Sequence, residues 1–600
     1  MINKFGDFRD NVFQLKEYEG NSKVLDLAEA IRRHVKPGMK LHVSDRANAL
    51  ARELLRQFYG SKPNFTLITT LATEQVLNLI HCGLVKKVIT SSCTEIYPTP
   101  APSRIVQRAF KSKLIEIENW TLLSLAQRLM AGAFDLPFMP TKSLSGSSMA
   151  QENAGSFYEM PDPFGGGTKV GLVRALNPDI SLIHAWAADP QGNIIVAPYT
   201  FSGEDTWGPK ASNSGVVATV EHIVSTQFIR EHSALVTIPG YMVNSVSLVP
   251  LGAHPQGMVT NFGISEFEPY IDDYEFIIQR RQASRNPEDL DSWIENWVLD
   301  CPDQNNYLSK LGDDRILFLR RKATADSWKD NPALEFISHS PGYNLREMMI
   351  VAAARRLEES VLNNGYKGIL SGIGTSCLAS YLAYYKLKQK NYDGELWIGS
   401  GYYGFSQRPA NSTYPPYADA PTMLTCKMIS DVVNTYGVFV GGKQGNCISV
   451  LSAAEVDKRG NLNSTMAPDS YIIGSGGSND ALNSKEVLLM VPQSRERLVN
   501  NVSYVTCPGN KVKVLVTDRG VFEKIDSEFV LTHFFFAPEF SSPQEAIDQI
   551  RQNCGWQLNI SPQVTEVPAP SLEELLLLRT FDPQGYPESS SGLITSVSPV

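Results

Sequence analysis

Apolar positions early in the chain recur at helical spacing and then give way to short apolar runs. Over residues 23–35, apolar side chains return every three or four positions among charged ones, which predicts a helix. Lys36-Pro37-Gly38 ends this helix, because proline and glycine terminate helices. A strand at 41–43, a helix at 47–58 and a β-branched apolar run at 65–70 follow. This alternation of helices and buried strands predicts an α/β fold with a parallel sheet.

The same order of elements returns near residue 345. Asn344 and Glu347 have the spacing of a capping box, which predicts the start of a long helix that ends near Gly365. The elements predicted next are a strand at 366–370, a glycine turn at 372–374, a helix at 378–388 and a strand at 396–398. The recurrence suggests that the chain consists of two related halves.

A repeated turn motif supports this duplication. Asp189-Pro190-Gln191-Gly192-Asn193 and Asp457-Lys458-Arg459-Gly460-Asn461 each follow an apolar strand. Asp-x-x-Gly-Asn is favourable turn chemistry, because glycine and asparagine tolerate a positive φ. Chance convergence of two turns is the alternative, but their matching places favour duplication.

These patterns define the predicted domains. We expect a first domain over 1–325, a linker over 326–342 and a second domain over 343–585. The linker is a mixed polar stretch with proline, glycine and asparagine. The tail at 586–600 is rich in serine, glycine and proline, so we expect it to be disordered.

Composition narrows the class of protein. Among 600 residues, 42% are hydrophobic and 20% are charged, which is typical of a packed globular protein. The net charge of −9, without a basic block, argues against a nucleic-acid partner. Eight scattered cysteines without a Cys-x-x-Cys pair argue against a zinc site or a disulfide framework. No apolar leader and no run of ~18 apolar residues is present, so we expect a soluble, reduced, cytoplasmic protein.

An ordered set of motifs spans both halves. The first half contains Leu136-Pro137-Phe138-Met139-Pro140-Thr141-Lys142-Ser143, Asp162-Pro163-Phe164-Gly165-Gly166, Pro239-Gly240-Tyr241 and Gly252-Ala253-His254-Pro255. The second half contains Gly372-Ile373-Gly374, Gly474-Ser475-Gly476-Gly477-Ser478-Asn479-Asp480 and Cys507-Pro508-Gly509. Together with the two turns, they resemble the family I coenzyme A transferases, and within them the glutaconate CoA-transferase branch. The first half resembles the family's α subunit, the second its β subunit, over roughly residues 20–585.

The resemblance implies a fold and a substrate class. It implies two homologous open α/β domains of the family I type, with the active-site cleft between them. The substrate would be a coenzyme A thioester, or an acyl thioester borne by a carrier protein, with no metal and no redox cofactor. It implies no nucleic-acid or membrane partner, and we expect a homo-oligomer.

The glycine run at 474–477 has a use in such a site. Without β-carbons, backbone N–H groups can approach a thioester carbonyl and stabilise an oxyanion that develops on it. A tight loop without function is the alternative reading. The residues expected to bind CoA or the acyl group are Gly372, Gly374, Gly399, Gly401, Gly474, Ser475, Gly476, Gly477 and Asn479.

One position departs from the family pattern. Family I transferases attack the acyl-CoA with a glutamate that follows a strand of the β-type half, in a Glu-Ser-Gly context, and then carry CoA as a glutamyl thioester. The matching segment here is Leu396-Trp397-Ile398-Gly399-Ser400-Gly401, so Gly399 stands where the glutamate is expected. Glycine has no side chain, so the covalent mechanism cannot run from this position.

Three residues are candidate replacements. Ser400 is adjacent but needs an activating base. Cys377 follows the glycine turn, and its alternative role is that of a small buried residue at a helix start. His254 is suited to acid–base work near neutral pH, or else is a structural histidine. Asn479 and Asp480 are also candidates to cap the helix after the glycine run.

The sequence therefore leaves three functions open. The first is an enzyme that processes an acyl thioester without a glutamyl-CoA intermediate, for example by decarboxylating a glutaconyl-type thioester, as some relatives that lack the glutamate do. The second is CoA transfer between an acyl-CoA and a free acid, through another carboxylate or a direct route. The third is a non-catalytic acyl-CoA-binding protein.

Overall fold

A computed structural model describes residue 8 and residues 13–97, 100–196, 203–409, 420–536 and 540–583. The tail at 586–600 lies outside these described residues. Two large sheets organise the chain, one on each side of the segment 326–342, and we call these parts the first and second halves. No helix in the described part has the length and apolar character needed to cross a membrane.

The first half is built on an eight-stranded sheet in the order β8-β7-β5-β1-β2-β3-β4, with β6 paired to β5. All neighbours along this path are parallel. The strands are β1 Lys40–Val43, β2 Phe65–Ile68, β3 Val85–Thr90, β4 Glu116–Asn119, β5 Ile180–Ala188, β6 Ile194–Ile195, β7 Val216–Ile223 and β8 Val243–Leu248. Two three-stranded sheets join them: Leu71–Ala72, Ser92–Glu95 and Ala101–Pro102; and Phe138–Thr141, Phe157–Pro161 and Lys169–Arg174.

Helices surround this sheet and extend the first half at its end. The helices near the sheet are Leu27–His34, Asn48–Phe58, Glu74–His81, Arg104–Lys111, Leu122–Ala133, Ser148–Glu152, Glu204–Ala211 and Thr226–Glu231. Four more follow it: Tyr274–Ala283, Pro287–Ile294, Gln304–Leu311 and Asp313–Arg321.

The second half is built on a ten-stranded sheet in the order β12-β11-β10-β9-β13-β14-β15-β16-β17-β18. The strands are β9 Gly368–Ser371, β10 Glu395–Ile398, β11 Tyr402–Tyr403, β12 Met428–Ile429, β13 Cys447–Ser452, β14 Glu486–Met490, β15 Val512–Val516, β16 Gly520–Ile525, β17 Glu528–Phe534 and β18 Asn559–Glu566. The central strands are parallel, as in the first sheet. The helices are Leu345–Asn364, Thr375–Gln389, Ala420–Met423, Ser478–Ala481, Pro543–Gln552 and Leu572–Phe581.

The predicted elements are confirmed, with shifts at their ends. The helix predicted at 23–35 runs over Leu27–His34, because Asp26 caps it. The capping box of Asn344 and Glu347 is present, and Gly365 ends that helix in a left-handed conformation. The helix predicted at 378–388 begins three residues earlier, at Thr375.

The two Asp-x-x-Gly-Asn turns fold alike. In each turn an aspartate oxygen accepts from the backbone N–H of the asparagine, at 2.9 Å from Asn193 to Asp189 and 3.0 Å from Asn461 to Asp457. The asparagine side chain then accepts from a glycine N–H farther along the chain, from Gly240 in the first half and Gly509 in the second. Shared long-range bonds of this kind indicate duplication more strongly than the turn sequence alone.

Candidate active site

A cavity of about 920 Å³ lies where the two halves meet. This volume is typical of small-molecule sites. Most of its lining is apolar or small, including Leu71, Ile96 and Leu122 from the first half and Leu370, Leu451, Ile473 and Met490 from the second. Among the residues predicted to bind CoA or the acyl group, those that line it are Gly372, Gly374, Gly399, Gly474, Ser475, Gly476 and Gly477.

The glycine run at 474–477 is tied to the first half by backbone bonds. Gly474 pairs with Ser92 in an antiparallel bridge. The Ser92 hydroxyl donates to the Ile473 carbonyl at 2.5 Å, and the Gly476 N–H donates to the Ser91 carbonyl at 3.0 Å. These bonds fix the loop against a segment nearly four hundred positions earlier, so the cavity wall is shared by both halves.

One backbone donor of this loop is unused. The N–H group of Gly477 forms no hydrogen bond to any residue that the structure describes, whereas the N–H of Ser475 faces the Ser91 carbonyl in the bridge. Gly477 lines the cavity. An unused N–H group at a glycine-rich turn can contribute to an oxyanion site.

Tyr436 stands beside Gly399 and Gly477. A β-carbon built on either glycine would come within 2.0 Å of the Tyr436 hydroxyl oxygen. Neither glycine has a positive φ, so its backbone would accept a side chain. The nearest atoms to a β-carbon at position 399 therefore all belong to the Tyr436 side chain.

The Tyr436 side chain is buried, and its hydroxyl is not hydrogen-bonded to any described residue. It lies in a π-helical segment, Val433–Val440, a geometry often found at functional sites. The side chain is 6% exposed and lines the cavity, and its hydroxyl bonds to no described residue. Burial, together with the negative charge of Asp480, raises the pKa of Tyr436 well above its usual range. The hydroxyl therefore keeps its proton at neutral pH.

The predicted glycine turn at 372–374 forms a second wall of the cavity. Gly374 has a φ of +78°, which favours glycine, and the helix Thr375–Gln389 begins directly after it. A β-carbon at Gly372 would come 2.4 Å from the Val450 carbonyl oxygen. Cys377 is buried in the first turn of this helix and is not among the cavity-lining residues.

Ser400 and Gly401 turn the chain from β10 into β11. Ser400 is 1% exposed, and its hydroxyl has no hydrogen-bond partner among the described residues. No described base therefore lies within hydrogen-bonding distance of it. Gly401 has a φ of +97°, and a β-carbon there would collide with the Ser430 carbonyl. Neither residue lines the cavity, and their predicted roles stay predictions.

His254 lies in the first half within a buried polar cluster. Its Nδ1 is 2.7 Å from the Tyr307 hydroxyl, and its Nε2 is 3.2 Å from an Asp273 carboxylate oxygen. Burial lowers the pKa of His254, so the ring is neutral at physiological pH. His254 does not line the cavity, and these contacts favour the structural reading over the catalytic one.

Asn479 and Asp480 join the halves rather than cap their own helix. The Asn479 side chain accepts from the Leu144 N–H at 2.9 Å and donates to the Thr506 carbonyl at 2.9 Å. Asp480 accepts from the Leu123 N–H at 3.0 Å and from the Ser143 hydroxyl at 2.6 Å. Because Leu123 lies in the first turn of Leu122–Ala133, Asp480 caps a helix of the opposite half.

Replacing Asp480 with asparagine should flatten the dependence of stability on pH. Burial raises the pKa of Asp480 to about 6, so ionisation of this carboxyl destabilises the folded state. Its stabilising contribution is full below the unfolded pKa of about 4 and is lost as the pH rises through 6. In total, the free energy of unfolding falls by about 3 kcal/mol, and about 2 kcal/mol of this fall lies between pH 4.5 and 7.5.

Denaturant unfolding of wild type and D480N across that pH range measures this difference. An asparagine can still accept from the Leu123 N–H and donate to the Ser143 hydroxyl, so both hydrogen bonds to the first half are kept. From pH 4.5 to 7.5, we expect the free energy of unfolding of D480N to rise by about 2 kcal/mol relative to that of wild type. Parallel curves would show that Asp480 does not titrate in this window.

Charged residues line another part of the cavity and are mostly paired. Glu347 bonds with Arg579, and Asp582 with Arg346. Asp518 accepts from the Gln493 N–H at 2.7 Å. The cavity-lining acids, namely Glu347, Asp518 and Asp582, are therefore all engaged. Within the described ranges, no three His, Cys, Asp or Glu side chains converge as a metal site requires.

The glycines of this site can be recognised from the sequence, whereas Tyr436 cannot. The glycine at position 399 is the one sequence feature that suggests another group beside it. Nothing local marks Tyr436 among the 23 tyrosines, because its contact with Gly399 is made only in the folded chain.

Comparisons with known proteins agree with this architecture. The sequence profile of the family described as "Coenzyme A transferase" matches residues 24–248, and that of "Citrate lyase, alpha subunit (CitF)" matches residues 442–529. The chain is 28% identical over 326 residues to one of the polypeptides of the glutaconate CoA-transferase of Acidaminococcus fermentans, a match that covers 50% of this chain and 95% of that polypeptide.

A second relative and a solved structure complete the comparison. Over 265 residues, the chain is 30% identical to one of the polypeptides of the 3-oxoadipate CoA-transferase of Pseudomonas knackmussii, covering 40% of this chain and 94% of that polypeptide. The crystal structure of the acyl-CoA transferase YdiF of E. coli O157:H7, in a thioester complex with CoA, has the same fold. It superposes with a TM-score of 0.61 at 16% identity, over 92% of this chain and 96% of that one. The chain therefore belongs to the family I coenzyme A transferases, and it carries the two subunit-like halves in one polypeptide.

Proposed function

We propose that this protein decarboxylates a glutaconyl-type acyl thioester without forming a glutamyl-CoA intermediate. The proposal rests on membership in a family that acts on CoA thioesters. The observation that carries it is the arrangement at position 399. Glycine stands where the family's nucleophile is expected, and the Tyr436 hydroxyl fills the adjoining space.

The cavity offers what such a decarboxylation needs. As the bond between the γ-carbon and its carboxylate breaks, CO₂ leaves and the electron pair delocalises through the double bond onto the thioester oxygen. The unused N–H group of Gly477 is suited to stabilise that developing charge. Apolar side chains line the part of the cavity beside the glycine run, and a low-polarity wall strengthens such hydrogen bonds.

CoA transfer is the second candidate, because the relatives' own names describe CoA-transferases. That reaction needs a carboxylate that attacks the thioester, or a direct route between two bound substrates. The cavity-lining acids Glu347 and Asp582 are held in ion pairs, and Asp518 is held by a backbone donor. These contacts favour decarboxylation over transfer.

Incubation with a 2-enedioyl-CoA separates the candidates. We expect release of CO₂ and formation of the enoyl-CoA that is one carboxyl group shorter, with no dependence on added acetate. A saturated dioyl-CoA serves as control, because without the double bond the charge cannot reach the thioester oxygen. Exchange of CoA onto acetate without CO₂ would contradict the proposal and support transfer. Binding without turnover of either thioester would support a non-catalytic role.

A further inference from the structure

We propose that Tyr436 is the proton donor of this site, and that its hydroxyl occupies the space of the absent glutamate side chain. Its hydroxyl adjoins position 399 on one side and the glycine run on the other. The inference rests on the proposed function for its natural substrate, but it concerns a proton transfer that can be measured separately.

The Tyr436 hydroxyl lies close to two of the glycines that line the cavity. The hydroxyl oxygen would be 2.0 Å from a β-carbon at Gly399 and 2.0 Å from one at Gly477. It therefore lies directly against the loop that carries the unused Gly477 N–H. A carbonyl oxygen bound by that N–H would have the phenol as a close neighbour.

No described residue engages the Tyr436 hydroxyl in a hydrogen bond. The side chain as a whole is 6% exposed, but its oxygen is not among the fully buried unpaired atoms, so it is accessible from the cavity. A phenol O–H that no protein group engages is available to donate to a molecule bound beside it. Its position in the cavity wall therefore suits it to donate to a ligand there.

The proposed reaction requires a proton donor. Loss of CO₂ from a 2-enedioyl thioester leaves a dienolate that must take up one proton on carbon. The Tyr436 O–H bond breaks, its proton forms the new C–H bond with the dienolate electron pair, and the phenolate regains a proton from water. Burial and the Asp480 charge raise the pKa of Tyr436, so the hydroxyl carries its proton at neutral pH and can give it to a carbanion that is more basic than the phenolate.

The test measures proton transfer on the product in D₂O. Wild type should exchange the γ-hydrogens of but-2-enoyl-CoA for deuterium. The minor phenolate form of Tyr436 takes a γ-proton in the reverse direction, exchanges it with solvent, and returns a deuteron in the forward direction. Y436F should lose this exchange by about 10²- to 10⁴-fold, the usual share of a general acid or base. Binding of the thioester, measured by calorimetry, should stay within a few-fold of wild type.

Two further variants separate donation from packing. Y403F is the matched control, because Tyr403 does not line the cavity and its hydroxyl bonds to no described residue, so exchange should persist. G399A keeps the phenol but places a β-carbon against its oxygen, so it should displace the donor and slow exchange as Y436F does.

The possible results distinguish proton donation by Tyr436 from the proposed decarboxylation. If Y436F exchanges within a few-fold of wild type, or if wild type does not exchange at all, Tyr436 is not the donor. If wild type exchanges but releases no CO₂ from any 2-enedioyl-CoA, the proposed decarboxylation is wrong while the assignment of Tyr436 stands. A purely space-filling tyrosine would leave exchange intact in Y436F, because phenylalanine fills the same volume.

Discussion

Substituting Gly474 with alanine should destabilise the protein by about 3 kcal/mol or more and lower turnover at least ~100-fold. Gly474 has a φ of +96°, a region that alanine rarely adopts. A β-carbon there would come 2.3 Å from the Ser91 carbonyl oxygen and 2.9 Å from the Ser92 α-carbon. Both are backbone atoms, so no side-chain rotation relieves the collision.

The substitution G474A should also distort the cavity, because the bridge at Gly474 fixes the position of the glycine run in the cavity wall. The Ser92 hydroxyl and the Cys93 N–H both donate to the Ile473 carbonyl, and the Gly476 N–H donates to Ser91. Forcing residues 91 and 474 apart weakens these bonds together and shifts the donors of the glycine run. A shift of about 1 Å in such donors is enough for the expected loss of rate.

Gly476 provides the matched control for stability. It also has a positive φ, of +50°, but a β-carbon there would meet no atom within 4 Å. G476A should therefore lower the free energy of unfolding by only about 1 kcal/mol, the cost of placing alanine in a left-handed backbone conformation. Denaturant unfolding of the three proteins measures the difference, and equal losses in G474A and G476A would show that the collision with Ser91 does not matter.

The parts of the fold that can be predicted from the sequence are those that depend on residues close together along the chain. The capping box at Asn344 and the Asp-x-x-Gly-Asn turns depend on residues within five positions, and all three form as expected. The parallel strands follow from continuous apolar runs, whose pattern needs no distant partner. These features account for the two-half α/β architecture that the comparisons confirm.

The site was less predictable, because its contacts join distant segments. Asp480 has the sequence position of a cap for the helix that follows it, yet it accepts from Leu123, 357 positions away. Tyr436 carries no local signal, and only the folded chain brings its hydroxyl to Gly399. The glycine run was found because its spacing is itself a chemical pattern, whereas what surrounds it depends on how the halves pack.

Restoring the family's nucleophile should turn the protein into one that forms a covalent CoA adduct. Gly399 lacks a positive φ, so its backbone accepts a side chain, and the Tyr436 hydroxyl is the nearest obstruction. The double variant G399E/Y436A removes that obstruction and supplies a carboxylate beside the glycine donors. G399E alone should fail, because its β-carbon would meet the phenol at 2.0 Å.

The expected chemistry follows the family route in two balanced steps. The new carboxylate attacks the thioester carbonyl and expels CoA thiolate, which leaves a mixed anhydride. The thiolate then attacks the glutamyl carbonyl, releases the acyl group as a free carboxylate and leaves CoA bound as a thioester. Mass spectrometry after incubation with an acyl-CoA should show one such adduct per chain in the double variant, sensitive to borohydride, and none in wild type.

Loss of the phenol gives this experiment its second readout. G399E/Y436A should transfer CoA to acetate but no longer exchange the γ-hydrogens of but-2-enoyl-CoA, because its proton donor is gone. G399D/Y436A is the control for reach, since its carboxylate is one methylene shorter and should form little adduct. An adduct in wild type would place a nucleophilic carboxylate elsewhere and overturn the proposal. The double variant could also fold and bind the thioester but form no adduct. This result would mean that position 399 does not face the reacting carbonyl, and that the site differs from the family's by more than one side chain.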